Sequence, residues 1–131
     1  GLNFAIQPKG WPFDPTLPDC VAVAIVARGE DPRAFLSAAF RTVFEGELNL
    51  SDETVLATVL AETGHRADVL IADARSAPIR EAYAENNKTA LATGVFGSPS
   101  YVLDGEVFWG QDRLELLQDA LKSGRAPFKP L

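Results

Sequence analysis

The sequence predicts a mixed α/β chain: helices first, then one β-hairpin, then a final helix. Three observations predict it. Asp104-Gly105 stands between Tyr101-Val102-Leu103 and Val107-Phe108-Trp109, two short aromatic and β-branched runs. A type I′ turn needs φ > 0 at both central residues, and Asp-Gly supplies them. Upstream of Gly94 the apolar residues recur at helical rather than alternating spacing. Downstream, Gly110-Gln111-Asp112 opens an amphipathic pattern through Leu114, Leu117 and Leu121.

The elements follow in order. Residues 1–18 hold four prolines, Pro8, Pro12, Pro15 and Pro18, which exclude a helix and predict an extended lead-in ending at Asp19. Asp19 caps a first helix whose Val21, Val23, Ala24, Ile25 and Val26 are nearly continuous, so most of its surface is expected to be buried. Asp31-Pro32 is a paired start signal, a capping side chain followed by proline at the first helical position. Phe35, Leu36, Ala39, Phe40 and Val43 then share one face. Ser51-Asp-Glu opens a third helix with Val55, Leu56, Val59 and Leu60 on one side and Gly64 as its stop. A short helix around Asp68–Ala74 follows, and Ser76-Ala-Pro78 starts a longer one that runs to about Thr93. A lone hairpin is marginal in water and leaves both edges unpaired. Either Leu2-Asn3-Phe4-Ala5-Ile6 supplies a strand, or the sheet is completed by a larger domain or a partner chain.

Composition bounds the function. The chain has 131 residues, the size of one domain, with 47% hydrophobic and 23% charged residues. A net charge of −6 argues against a nucleic-acid surface, which needs clustered Lys and Arg. No apolar run approaches the ~20 residues of a membrane span, and no secretory signal is visible. Cys20 is the single cysteine, so no intrachain disulfide forms, and a cytoplasmic location is the simple expectation. One cysteine with one histidine, His65, argues against a metal site. No Walker-type loop, dinucleotide fingerprint or serine nucleophile elbow occurs.

Val95-Phe-Gly-Ser-Pro-Ser100 followed by Asp104-Gly-Glu-Val-Phe-Trp-Gly-Gln-Asp-Arg113 closely resembles the C-terminal signature of the 2-hydroxychromene-2-carboxylate isomerases. These group with the kappa-class glutathione transferases and the DsbA-like oxidoreductases. Pro8-Lys-Gly-Trp-Pro-Phe-Asp14 also looks like a segment of some isomerase-like members, and the resemblance covers nearly all of residues 7–121. It implies a thioredoxin-like fold with a helical insertion, here at about 19–93, followed by a cis-proline loop, hairpin and helix at 94–123. Such proteins begin with a strand, a helix and a second strand that carry the thiol chemistry. In the isomerases and kappa transferases that group is a serine activating glutathione; in DsbA-like proteins it is a Cys-x-x-Cys pair. Neither motif stands in this chain. The N-terminal strand-helix-strand is therefore expected to be absent from it, with the catalytic residue upstream.

Four residues are the candidate glutathione site. A cis bond at Ser98-Pro99 would turn the backbone of Ser98 outward, where an extended peptide can pair with it; the plain alternative is a trans proline at a strand start. Gln111 and Asp112 open a helix, whose free N–H groups suit a carboxylate while Asp112 suits an ammonium. The resemblance places the γ-glutamyl end of glutathione there; the plain alternative is that Asp112 only steadies the helix start. Phe108 and Trp109 must face opposite sides of the sheet, and Trp109 or Trp11 walls a pocket or joins the core. Lys9 meets an acidic substrate or merely solvent. Cys20, near a helix N-terminus where the dipole lowers a thiol pKa, is not expected to act as a nucleophile. His65 reads as a helix cap or surface residue, and Glu45, Glu47, Asp52 and Glu53 as capping and solubility charges.

The expectation is thus a glutathione-dependent isomerase acting on an aromatic or chromene carboxylate. Competing with it are a DsbA-like thiol–disulfide oxidoreductase and a non-catalytic binding or assembly domain. The partners expected are a small-molecule substrate and a second copy or other partner completing the sheet, with neither nucleic acid nor membrane.

Overall fold

The computed structural model describes residues 4–128. Helix α1 (Thr16–Ala27) starts four residues before Cys20, the first helical residue expected with Asp19 as the cap. The first four N–H groups of a helix need no intrahelical acceptor, so Pro15 and Pro18 cost nothing there. The capping role passes from Asp19 to Asp14, whose Oδ1 accepts from the Thr16 backbone N–H at 2.9 Å and its hydroxyl at 2.6 Å. The helix buries Pro18, Cys20, Val21, Ala24 and Ile25 and leaves Val26 57% exposed, so its apolar run is a face rather than a fully buried rod.

Helix α2 (Arg33–Phe44) is introduced by Asp31, which accepts from the Arg33 N–H at 3.0 Å. The Arg33 guanidinium and that N–H hold the Asp31 carboxyl down at about 2. Helix α3 (Glu53–Glu62) has Asp52 as its N-cap, accepting from Thr54 N–H at 2.8 Å. Helices α4 (Ala67–Ala74) and α5 (Ala77–Ala92) follow. Leu2–Ile6 does not supply the expected strand where it is described: Phe4, Ala5 and Ile6 are irregular, and Leu2 and Asn3 lie outside the described residues. The Ala5 N–H instead caps α2 by donating to Phe44 O at 2.7 Å.

Between Tyr83 and Ala84 the chain divides into two compact units. In the first, α4 packs against both α1 and α3, and α3 packs against α2. Phe35, Ile25, Leu56 and Leu60 are its largest fully buried side chains. The second unit contains β1 (Ser100–Leu103) and β2 (Glu106–Trp109), antiparallel, with Ser100 opposite Trp109 and Leu103 opposite Glu106. Asp104 and Gly105 have φ of 51° and 86°, the geometry their sequence predicts. A 3₁₀ turn (Gln111–Arg113) leads into α6 (Leu114–Ser123), which packs on β2. Phe108 and Ala120 are buried there, whereas Leu114 and Leu121 of the expected apolar face are 44% and 62% exposed. No helix among the described residues is long and apolar enough to cross a membrane.

The residues after α6 are fastened to the hairpin. Glu106 accepts two bonds from the Arg125 guanidinium, at 2.8 and 2.9 Å, and a third from Phe128 N–H at 3.0 Å. Arg125 also lies 4.3 Å from the Phe128 ring centre. These donors hold the Glu106 carboxyl below its ordinary value. A depressed carboxylate contributes stability above its unfolded pKa and loses it as pH falls through the folded one. Hairpin unfolding, read by Trp fluorescence, is therefore expected to become easier as pH falls through and below the ordinary Glu range near ~4.3. Glu106→Gln should flatten that dependence; an unchanged profile would rule out this contribution.

Candidate functional site

The candidate site lies in the second unit, and the hairpin register assembles it. Ser100 opposite Trp109 carries the ladder one step further, so Gly110 N–H donates to Pro99 O at 2.9 Å. Backbone eleven residues apart in sequence is thereby joined, with Ser98-Pro99 on one side and Gln111-Asp112 on the other. The Ser98–Pro99 bond is cis. Ser98, Pro99, Gln111 and Asp112 are all exposed.

Two glycines let these segments approach. A Cβ at Gly97 would collide with the Trp109 indole nitrogen, so the loop before Pro99 lies flat against that ring. The Phe96 ring lies tilted beside the same indole, its centre 5.0 Å from that of Trp109. The Ser100 hydroxyl donates to Gly97 O at 2.6 Å and fixes the loop from within. Gly110 has φ 98° and ψ 153°, a region essentially reserved for glycine. The Asp112 carboxylate folds back over it into space that a Cβ would fill. Arg113 Nε stands 3.9 Å from Asp112 Oδ2, and the Asp112 side chain stays 73% exposed, so it remains open to a ligand cation. Sequence reasoning missed Phe96 and Gly97; aromatic residues flanking a Gly-Ser-Pro were the available signal.

The sequence pattern of the DSBA-like thioredoxin domain matches residues 3–122. The chain belongs to this DSBA-like thioredoxin family. It is also 31% identical over 115 residues to a 2-hydroxychromene-2-carboxylate isomerase of Sphingobium xenophagum, an alignment covering 87% of this chain and 59% of that relative. The chain thus spans less than two thirds of the relative's length.

The remaining candidates of this DSBA-like domain are distributed as follows. Trp109 is 51% exposed and Phe108 4%, so they do face opposite sides and Trp109 is the ring on the open side. Trp11 is 50% exposed, in the first unit, and precedes a second cis-proline bond, Trp11–Pro12, that the sequence did not announce. Lys9 is exposed, and its backbone N–H donates to Glu47 at 3.3 Å. Cys20 is fully buried, and burial pushes its thiol up rather than down, desolvation there outweighing the lowering influence of the Arg80 charge. His65 is not a surface residue: its side chain is 11% exposed, with Nδ1 3.2 Å from Glu30 Oε2. Its backbone does close α3, donating to Leu60 O at 2.9 Å. Glu53 pairs with Arg75.

Proposed function

We propose that this chain carries part of the glutathione site of an isomerase acting on an aromatic, chromene-type carboxylate. The observation that supports it most is the Gly110–Pro99 hydrogen bond, because it sets an exposed backbone edge at Ser98 beside the helix start at Gln111-Asp112. Glutathione is a peptide with a zwitterionic γ-glutamyl end, and its requirements match these groups. The Ser98 backbone would pair with its extended cysteinyl portion as a short added strand. The N–H groups of Gln111 and Asp112, opening the helical run into α6, would take its carboxylate. Asp112, exposed beside them, would hold its ammonium group. Trp109 and Phe96 would form an apolar wall at the same loop.

When bound, glutathione supplies a thiolate that adds reversibly to an unsaturated substrate, permits bond rotation and ring opening, and leaves. We assign the activation of that thiol to a part of the relative's length that this chain does not span. Within this chain Cys20 does not serve a dithiol mechanism, being single, buried and shifted toward the neutral thiol. A single cysteine is compatible with a cytoplasmic protein. The hairpin, with Tyr101 and Val102 exposed, supports a further segment or a second chain pairing with its edge.

Calorimetric titration with reduced glutathione at pH 7 tests the reading. Heat is expected from the wild-type chain, with affinity reduced about tenfold or more in Asp112→Ala, the loss typical of one charge-assisted contact. No heat from the wild type, or equal affinity in the variant, would overturn it.

A further inference from the structure

The first unit contains a cleft that plays no part in the glutathione proposal. It encloses about 210 Å³. Phe35, 1% exposed, forms its floor. Trp11 meets Phe13 edge-on at 5.3 Å and 90°, and Phe40 stacks with Phe44 at 6.3 Å and 22°. Trp11 and Phe44 lie 6.4 Å apart, which joins the two pairs into one aromatic wall. Trp11 and Phe40 stand half exposed or more at the mouth. The single charged side chain on the lining is Asp19. Its Oδ2 lies 3.4 Å from the Tyr83 hydroxyl, which donates to it. Asp14 nearby is already engaged by Thr16 and faces Arg80, leaving Asp19 as the acceptor of the cleft.

We propose that this cleft binds a small protonated aromatic amine, its ring against Trp11, Phe13, Phe40 and Phe44 and its ammonium group on Asp19. Size fits: a cavity of about 150 Å³ already takes benzene, so this one admits a ring with a short ammonium arm. Charge selects the cation. The faces of aromatic rings are negative and attract an ammonium group while repelling a carboxylate. Surrounding protein atoms also desolvate the Asp19 carboxylate and raise its pKa, so an ammonium partner restores the stabilisation that water gives elsewhere. By the same chemistry the cleft disfavours an acidic ligand.

Calorimetry with three probes of matched shape tests the assignment: 2-phenylethylamine, 2-phenylethanol and 3-phenylpropionate, each at pH 7 with the whole chain. The amine is expected to bind about tenfold tighter than the alcohol, and the carboxylate more weakly than both. Asp19→Asn, which keeps the shape and an acceptor for the Tyr83 hydroxyl, should bring the amine down to the alcohol's affinity. Phe40→Ala, at an exposed position, should weaken amine and alcohol alike and serves as the second variant. Absence of amine binding, equal affinity for the carboxylate, or amine affinity unchanged in either variant would each overturn the proposal.

Discussion

Phe35→Ala is expected to lose about 3–5 kcal/mol of unfolding free energy, the usual cost of removing a buried phenyl ring. Phe35 is 1% exposed on α2 and sits in the core that α1, α3 and α4 also build. Its removal takes away both the transferred apolar area and the contacts of every neighbour that faced the ring. A domain commonly has only about 5–15 kcal/mol in total, so the first unit would be left close to its unfolding midpoint. The open cleft above the ring works in the other direction. Neighbours there can settle inward or water can enter, which favours the lower end of the range. Urea unfolding followed by far-UV circular dichroism measures the loss, with Phe35→Leu as the milder comparison because it keeps much of the volume. A loss under about 1 kcal/mol would mean that the ring is not the keystone of this core.

Gly110→Ala is the second large effect, expected at about 1–3 kcal/mol of local strain. With φ 98° and ψ 153°, the backbone at Gly110 lies where side chains are essentially excluded. A methyl group would also displace the Asp112 carboxylate that lies over it. The carboxylate can swing away at small cost, so the strain resides in the backbone while the swing affects binding. Both consequences are measurable in one variant: a lower unfolding midpoint for the hairpin, and weaker glutathione binding than Gly105→Ala shows at the distant turn. Wild-type stability together with wild-type binding would refute the argument.

Particular residues show why some of this was legible in the sequence. Asp104-Gly105 left the chain one economical turn, and from that turn the register is arithmetic: Ser100 must oppose Trp109, and Pro99 must reach Gly110. Asp31 and Asp52 marked helix starts because a short carboxylate can satisfy orphan N–H groups two residues on. Proline density does not exclude the start of α1, because a first helical turn tolerates proline. Leu2–Ile6 has the composition of a strand, yet where it is described its backbone serves a helix end instead, the Ala5 N–H donating to Phe44 O. Other features carry no local signal at all. Glu106 and Arg125 meet across nineteen positions. Trp11, Phe13, Phe40 and Phe44 become a wall only once α2 packs under the lead-in loop. The thioredoxin-like class came from the signature around Pro99 and Trp109, since composition and periodicity reach only as far as mixed α/β.

The clasp on Glu106 changes where this unit should be cut. Helix α6 stops at Ser123, and a designer trimming by secondary structure would end the chain there. Such a cut discards Arg125 and Phe128, and with them every donor to the Glu106 carboxylate among the described residues. A bare negative charge would then sit on β2, next to the turn and close to a sheet edge. For fusions and reporter tags the folded boundary therefore lies at Phe128 or beyond, five residues past the last helical turn.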